Sequence, residues 1–266
     1  MKSGAGEWLR GAPNPHARMR LVCLPYAGAS SATYHGWGRA LGSDVEVRAV
    51  DLPGRSQRIR EPLVLRIAPL VESLCDALGE LDDKPLALFG YSMGALLGFE
   101  LARALRRRRR GEPSLIMVAA GIAPHLGWMH GARLHTIADD EHFLAELTRR
   151  YGPVAPELLA HPDMRQLVLR LMRADLAALE SYVHSMEPAL RCPLIAFGGC
   201  DDRATPREGL EGWRLHTEGR FELFLFPGDH FFLRSATGAL LAEVRRQLAS
   251  VTAPGWFTRG APQEVR

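Results

Sequence analysis

The stretch FGYSMGALLGFELA, residues 89–102, decides the fold because it joins an apolar run to a helical pattern through Gly-x-Ser-x-Gly. LALF (86–89) is typical of a buried strand, and MGALLGFELARALRR (93–107) has the apolar spacing of a helix with one buried face. On such a strand–turn–helix junction a serine hydroxyl is exposed, and Gly90 and Gly94 avoid collisions with the strand and the helix. The pentapeptide also occurs by chance. It predicts a nucleophile at Ser92 only if the chain also supplies a base, an acid and an anion hole.

The rest of the chain alternates in the same way between strand-like and helical segments. One further amphipathic helix is IAPLVESLCDALGEL (67–81). This alternation predicts an α/β fold, with a mostly parallel sheet and helices on both faces. The other strand-like runs are 21–25, 45–50, 85–90, 114–121, 193–199 and 221–228.

One interval, residues 125–191, lacks a predicted strand. Its helical patterns cover 139–152, 156–161 and 162–186, with Asp139 and Asp140 suited to a helix start and Pro162 to a first turn. Ligand sites in open α/β sheets lie beyond the carboxyl ends of the strands. We therefore expect a helical lid inserted into the core, although a helical decoration that only adds core is the alternative.

The predicted domain organisation follows from that insertion. Residues 19–124 and 192–250 form the core, and residues 125–191 form the lid. Residues 1–18 and 251–266 are expected to be flexible termini on the surface, since both ends are rich in Gly, Pro and Arg.

Composition restricts the classes of partner. A net charge of +3 over 266 residues gives no reason to expect nucleic acid or a membrane, and no stretch approaches the ~20 apolar residues of a membrane helix. The chain has no apolar signal-peptide stretch at its start, which favours a cytoplasmic location. The four cysteines lack metal-type spacing and are expected to be buried free thiols. We expect a monomer with no metal and no cofactor.

His230 is the predicted base. It follows the last strand-like run in FPGDHFFL (226–233), and in a sheet of this order the base comes after the nucleophile and the acid. His216 is assigned to a polar helix end. Six other histidines are assigned to the N-terminal tail, the surface or the lid: His16, His35, His130, His142, His161 and His184.

The acid is predicted in LIAFGGCDDRATP (194–206), after an earlier strand. Asp201 and Asp202 both qualify, and residue chemistry does not choose between them. The other interpretation is a pair of carboxylates in a turn. Asp229 is a further competitor, but as the neighbour of His230 it is expected to point away from that ring.

The anion hole is predicted from two backbone N–H groups. That of Met93 begins the helix after Ser92, where free N–H groups favour negative charge. The second comes from Ala27 or its neighbours in CLPYAGASS (23–31). Gly28 would let the backbone approach the substrate carbonyl. Tyr26, Gly28 and Tyr91 are the candidate substrate-binding residues.

Five segments together resemble the type II thioesterases, stand-alone α/β-hydrolases that serve polyketide synthases and nonribosomal peptide synthetases. The resemblance runs from about Trp8 to Leu248. The segments are LVCLPYAGASS, VDLPGRSQRIREP, LALFGYSMGALLGFELARAL, CPLIAFGGCDD and FPGDHFFL.

The resemblance implies an α/β-hydrolase fold with a helical lid. It also implies hydrolysis of aberrant or stalled acyl thioesters on the phosphopantetheine arm of acyl carrier and peptidyl carrier domains. Carried over, it makes Ser92 the nucleophile, His230 the base and Asp202 the acid, with the N–H groups of Met93 and Ala27 as oxyanion donors. The lid would then cover an acyl chamber, with some of its apolar residues lining the chamber and others packing on the core: Phe143, Leu147, Leu167, Leu171 and Leu179.

The sequence departs from the family pattern at three positions, and the first two are expected to alter the pocket and the oxyanion loop and therefore the acyl preference. Tyr91 replaces the usual His, Ala29 replaces a loop glycine, and Arg203 replaces the Pro after the acid. VDLPGR (50–55) is expected to be a structural loop, with Arg55 at the chamber entry as the alternative.

Other functions remain compatible with these residues. The same triad could serve a small-molecule esterase or lipase, or an acyltransferase or cyclase. From another class, a catalytically inactive hydrolase fold could act as a binding protein.

Overall fold

The computed structural model describes residues 5–127 and 133–252, and within them seven strands form one sheet in the order β1-β3-β2-β4-β5-β6-β7. Strands β2 to β7 are parallel, and β1 is antiparallel to β3. The strands are β1 Leu9–Arg10, β2 Met19–Leu24, β3 Val45–Val50, β4 Leu86–Tyr91, β5 Leu115–Ala119, β6 Leu194–Gly199 and β7 Phe221–Phe226. The six strands predicted from apolar runs are therefore present, with ends shifted by at most two residues.

Ten α-helices occur in the same described residues. They are α1 Ala5–Trp8, α2 Trp37–Leu41, α3 Ile67–Ala77, α4 Met93–Arg107, α5 Asp140–Tyr151, α6 Pro156–Ala160, α7 Pro162–Glu180, α8 Arg207–Glu211, α9 Phe232–Ser235 and α10 Thr237–Thr252. Helices α3 and α4 are the two that the amphipathic patterns at 67–81 and 93–107 predict. None of them is long and apolar enough to cross a membrane.

The parallel strands are buried on both faces, which explains why they read as continuous apolar runs. Along β4, Leu88 packs into the core beneath α3 and α4, whereas Ala87 and Phe89 pack into a second core against α2 and α10. The alternation of side chains along a strand thus serves two separate hydrophobic layers. The chain has the predicted α/β architecture.

The prediction of a loose N-terminus is wrong for residues 8–10, whereas most of residues 11–16 lie exposed on the surface as predicted. Trp8 and Leu9 are buried, and β1 pairs with the edge of β3. The guanidinium of Arg58 lies 3.8 Å from the centre of the Trp8 ring, and Arg10 pairs with the Asp51 carboxylate at 2.9 Å. Burying the indole and covering an open strand edge both stabilise this segment.

At the other end, α10 continues to Thr252 and buries Val251, so residues 251 and 252 belong to the folded core. The rest of the predicted C-terminal tail, residues 253–266, lies outside the described residues.

Between β5 and β6, helices α5, α6 and α7 replace the strand–helix alternation, and no strand lies between residues 120 and 191 outside the gap at 128–132. Asp139 caps α5 by accepting a hydrogen bond from the His142 N–H at 2.7 Å. Helix α7 begins at Pro162 as predicted but ends at Glu180, six residues earlier than its pattern suggested. Leu147 and Leu176 join the core beneath the sheet, so this insertion is packed onto the body of the protein.

Candidate active site

Ser92 lies on a strained turn between β4 and α4. Its φ of 53° falls in the left-handed region that non-glycine residues rarely adopt. The two motif glycines allow this turn: a Cβ on Gly90 would lie 2.0 Å from the Gly94 carbonyl oxygen, and one on Gly94 would lie 2.1 Å from that of Leu24. The Ser92 N–H donates to the carbonyl of Ala119 at 2.7 Å. Backbone packing therefore fixes the serine at the carboxyl end of the sheet.

The predicted base and acid meet this serine in one hydrogen-bonded chain. Ser92 Oγ lies 3.1 Å from His230 Nε2, and His230 Nδ1 lies 2.9 Å from Asp202 Oδ2. All three residues are buried. An ionised carboxylate can only accept, so Nδ1 carries the proton and Nε2 is left to accept from the Ser92 hydroxyl. This is the arrangement in which imidazole can remove a proton from serine.

Asp202 is held in its ionised form. Burial alone would raise the pKa of its carboxyl, but the hydrogen bond and charge of His230, the Ala204 N–H and the Thr205 side chain outweigh it, so the pKa lies below its ordinary value. The N–H groups of Ala204 and Thr205 reach the other carboxylate oxygen at 2.9 and 3.1 Å. The carboxylate therefore has partners on both oxygens and a fixed orientation toward His230.

The competing carboxylates do not reach His230. Asp201 is exposed, and Asp229 turns its carboxylate to the N–H of Phe231 at 2.8 Å. The choice left open by residue chemistry thus falls geometrically on Asp202.

Two backbone N–H groups beside Ser92 have no protein acceptor within the described chain: that of Met93, at the start of α4, and that of Ala27. The neighbours of Ala27 are engaged. The Gly28 N–H donates to Asp175 Oδ2 at 2.7 Å, and the Ala29 N–H closes a turn onto the Tyr26 carbonyl at 3.0 Å. Gly28 has a φ of 77°, as the third residue of a type II turn requires. Ala27 is therefore the one residue of the three that can offer its N–H to a ligand.

A cavity of about 500 Å³ opens onto Ser92 and His230. Its walls are mainly apolar and come from residues 26–33, α5, α7 and the segment after β7. Of the five apolar residues singled out in the insertion, Leu147 and Leu179 line it. Phe143 and Leu171 are buried elsewhere and Leu167 is half-buried off the cavity wall. Such a chamber suits an apolar group attached to a carbonyl near Ser92.

Two of the three candidate substrate-binding residues, Tyr26 and Gly28, line the cavity. Tyr91 does not, which corrects its prediction: on β4 its side chain points into the core shared with α10. Its hydroxyl donates to the His230 carbonyl at 2.6 Å, and burial raises its pKa well above the ordinary value. Tyr91 thus supports the loop that carries His230, the predicted base.

Sequence reasoning missed two features. Asp175 and Arg55 form a buried ion pair at 2.7 Å, so Arg55 lies in the interior instead of at the entry. The available signal was an acidic residue on the apolar face of α7, between the buried Ala174 and Leu176.

The second missed feature is the burial of His216, which ends the short 3-10 helix Gly212–His216 as assigned but does not lie on the surface. Its ring is buried beside Phe99 and contacts His125, with Nε2 2.8 Å from His125 Nδ1. Burial, followed by the charges of His125, His184 and Arg103, lowers its pKa to about 3. Across the described residues, no group of three or more His, Cys, Asp or Glu side chains is arranged to hold a metal ion.

Comparisons with known proteins place these features in context. Residues 19–248 match the family described as "Thioesterase domain". The chain is 33% identical over 242 residues to gramicidin S biosynthesis protein GrsT of Aneurinibacillus migulanus, covering 91% of this chain and 93% of the relative. It is 34% identical over 260 residues to thioesterase PikA5 of Streptomyces venezuelae, covering 97% and 89%.

Solved structures give the same picture. The thioesterase RedJ from the prodiginine pathway of Streptomyces coelicolor superposes with a TM-score of 0.80 at 37% identity, covering 88% of each chain. The type II thioesterase BorB from the borrelidin cluster superposes with a TM-score of 0.79 at 33% identity, covering 94% of this chain and 98% of that one.

Proposed function

The chain belongs to the thioesterase family, and we propose that it hydrolyses acyl thioesters on the phosphopantetheine arm of carrier proteins in polyketide or nonribosomal peptide biosynthesis. One observation carries the proposal. The Ser92 hydroxyl, 3.1 Å from His230 Nε2, opens into an apolar cavity of about 500 Å³. A nucleophile, its base and room for an acyl chain are what such a hydrolysis needs.

In the first half-reaction, His230 Nε2 takes the Ser92 proton as Oγ attacks the thioester carbonyl carbon. The N–H groups of Met93 and Ala27 stabilise the oxyanion, and Asp202 stabilises the imidazolium. Collapse of the tetrahedral intermediate breaks the C–S bond, the imidazolium protonates the leaving thiolate, and the acyl group remains on Ser92.

In the second half-reaction, water replaces the thiol. His230 accepts a proton as the water oxygen attacks the acyl carbon, and the imidazolium returns that proton to Ser92 Oγ as the ester bond breaks. The products are a free thiol on the arm and a carboxylic acid. Neither half-reaction requires a cofactor.

The acyl chamber and the insertion support an editing role. We propose that residues 125–191 form a lid that covers the acyl chamber and leaves a narrow entry for the arm, with residues 19–124 and 192–250 as the core. Helices α5 and α7 supply much of the apolar wall. The enzyme would thereby release aberrant or stalled groups from acyl carrier and peptidyl carrier domains.

The proposed partners and cell compartment agree with other features. Relatives include a gramicidin S biosynthesis protein and the thioesterase PikA5. All four cysteines are free thiols, three of them buried, as suits the reducing cytoplasm in which we place the enzyme.

The test is release of acyl groups from a panel of carrier proteins, followed by mass spectrometry of the arm. Acetyl, propionyl and longer chains are loaded on the same carrier, and p-nitrophenyl esters of equal length serve as oxygen-ester substrates. We expect wild-type enzyme to free the arm and Ser92→Ala to leave it loaded. Ser43→Ala is the matched control, since Ser43 is exposed before β3 and does not line this cavity.

Two results would overturn the proposal. Hydrolysis of oxygen esters with intact carrier thioesters would indicate a small-molecule esterase. Binding of acyl carriers without release of any acyl group would indicate an inactive binding protein.

A further inference from the structure

Helix α7, part of the insertion, reaches across the cavity and binds the loop that supplies Ala27. Asp175 Oδ2 accepts the Gly28 N–H at 2.7 Å and Arg55 Nη1 at 2.8 Å, while Asp175 Oδ1 accepts Arg55 Nη2 at 2.7 Å. Arg55 Nη1 also donates to the Ala29 carbonyl at 2.9 Å. Asp175 and Arg55 are only 2% and 3% exposed. This closed set of charge-assisted bonds joins the insertion to the oxyanion loop (residues 25–31).

We propose that Asp175 and Arg55 are positioning residues that hold the oxyanion loop so that the Ala27 N–H faces the reacting carbonyl. The role rests on the proposed function of Ser92 and deepens it, because it makes α7 of the insertion a support of the anion hole.

The bonds lie where the loop is most able to change shape. In a turn such as 26–29, the peptide between Ala27 and Gly28 can rotate and reverse the direction of its N–H and C=O groups. Asp175 fixes the N–H of that peptide, and Arg55 fixes the carbonyl of Ala29. At the far end of the loop, Asp51 Oδ1 accepts the Ser31 N–H at 2.9 Å. Three polar contacts therefore hold the loop and leave the Ala27 N–H free.

A van der Waals contact from the same helix also holds the oxyanion loop in place. Met172 lies one turn before Asp175 and packs directly on Gly28, since a Cβ built there would lie 2.2 Å from Met172 Sδ. Helix α7 thus contacts Gly28 through both a side-chain carboxylate and a thioether.

The ion pair of Asp175 and Arg55, which we call the clamp, needs both residues for a reason of charge. A buried carboxylate near a developing oxyanion would repel it, and that repulsion is strong where water is excluded. The bidentate guanidinium of Arg55 neutralises Asp175 while leaving Oδ2 able to accept from Gly28. An asparagine cannot replace the aspartate, because both carboxylate oxygens face donors and an amide NH₂ would face at least one of them.

Loss of the clamp should lower kcat with little change in KM, because the anion hole binds the transition state more strongly than the substrate. The loss should be equal for short and long acyl chains. A residue that only lines the chamber would instead change the preference between chain lengths.

The experiment compares Asp175→Asn, Arg55→Lys and the double variant Arg55→Lys/Asp175→Asn with wild type. The matched control is Glu180→Gln. Glu180 is another buried carboxylate on α7, but it accepts the N–H groups of Leu134 and His135 within the insertion. Substrates are acetyl and octanoyl carrier thioesters and p-nitrophenyl acetate. The final extent of fluorophosphonate labelling counts folded active sites, and its initial rate reports the anion hole.

We expect kcat per labelled site to fall about 100-fold in Asp175→Asn, the scale of one lost oxyanion donor. The double variant should lose no more than the single variants together, because the two residues act as one unit. Arg55→Lys, which keeps the charge, tests the same contact if Asp175→Asn folds poorly. Glu180→Gln should keep its kcat.

Three results would overturn the clamp: an unchanged kcat per labelled site, an equal kcat loss in Glu180→Gln, or a loss confined to octanoyl substrate. Failure of the proposed function gives a different result. Wild type would then label at Ser92 and cleave p-nitrophenyl acetate but spare the carrier thioesters, and the clamp could still be measured on the ester.

Discussion

Two buried carboxylates flank Ser92, and they hold opposite sides of the site. Asp202, after β6, binds His230 Nδ1 at 2.9 Å and orients the ring that we propose as the base. Asp175, on α7, binds the Gly28 N–H at 2.7 Å and contacts the loop of the proposed anion hole. Asp202 has a titratable ring as its partner, whereas Asp175 has the permanent charge of Arg55. One carboxylate can therefore respond to proton movement, and the other gives a fixed geometry.

The two sides also differ in where their residues come from. Ser92, Asp202 and His230 follow β4, β6 and β7 in one sheet, so the core alone brings them together. The anion side of the site comprises the oxyanion loop and its contact with Asp175. It needs the insertion, because Asp175 lies 147 residues after Gly28 and reaches it only through α7. Damage to the insertion should therefore affect oxyanion stabilisation without disturbing the bond between serine and histidine.

The largest predicted effect on activity is on the core side of the site, which comprises Ser92, Asp202 and His230. Asp202→Asn should lower kcat on the order of 10⁴-fold, because an amide favours the wrong tautomer of His230. Asp201→Asn is the matched control. This substitution should cost little activity, because the Asp201 side chain is exposed. The measurement is single-turnover hydrolysis of an acyl carrier. Reversed effects of the two substitutions would make Asp201 the acid.

A smaller effect is predicted on the anion side. Gly28→Ala should lower kcat about 10- to 100-fold, since the new Cβ displaces Met172 and strains a residue at φ 77°, weakening one oxyanion donor. Gly36→Ala is the matched control: Gly36 has φ 82°, but a Cβ there would meet nothing within 4 Å. Equal kcat losses in the two variants would show that backbone strain, without displacement of the loop, accounts for the effect.

Substitutions on the chamber wall should change the preference between acyl chain lengths without affecting the groups that carry out the reaction. Val168 lines the cavity from α7, whereas the adjacent Leu167 does not. Val168→Phe should lower kcat/KM for octanoyl about 10-fold more than for acetyl, since roughly 1.4 kcal/mol of lost packing is a factor of ten. Leu167→Phe should keep the wild-type ratio. A uniform loss across chain lengths in Val168→Phe would mean that this part of α7 supports only the fold or the catalytic groups.

The smallest effect on activity is expected from substitution of a third buried group, the His216 ring. Its described neighbours His125, His184 and Arg103 include no carboxylate. Its pKa is lowered to about 3 by burial first and by those charges second. As pH falls below about 6.5, the unfolded chain binds a proton that the folded chain refuses, so the free energy of unfolding decreases until about pH 3.

The slope from this one group should be about 1 kcal/mol per pH unit. His216→Gln should flatten that acid limb in urea unfolding, measured by fluorescence between pH 6.5 and 4.5, while activity at pH 7.5 is retained. The exposed His142 provides the control variant His142→Gln. An unchanged slope in His216→Gln would contradict a neutral, buried ring.

The core side of the site was accessible from the sequence because its signals are local. Gly90, Ser92 and Gly94 mark a turn that needs small neighbours, and His230 follows the last strand in the order that the sheet requires. The choice of Asp202 over Asp201 came from family resemblance, since adjacent turn carboxylates have the same chemistry. Their different burial is a tertiary property.

The anion side could be predicted only in part. Helices α5 and α7 showed their periodicity, but the pairing of Asp175 with Arg55 spans 120 residues and has no pattern in sequence. The burial of Tyr91 and His216 was missed for a related reason. A polar ring can be buried when a partner such as the His230 carbonyl or His125 satisfies it, and those partners come together only in the folded chain.

The central claim is that Ser92 carries the acyl group during turnover. The direct measurement is rapid acid quenching of wild-type enzyme with an excess of octanoyl carrier protein, followed by intact-mass and peptide mass spectrometry. We predict a protein species heavier by one octanoyl group, with the group on the peptide that contains Ser92, and its loss together with hydrolysis in Ser92→Ala. Acylation of a different residue, or undiminished release of octanoate by Ser92→Ala, would contradict the account.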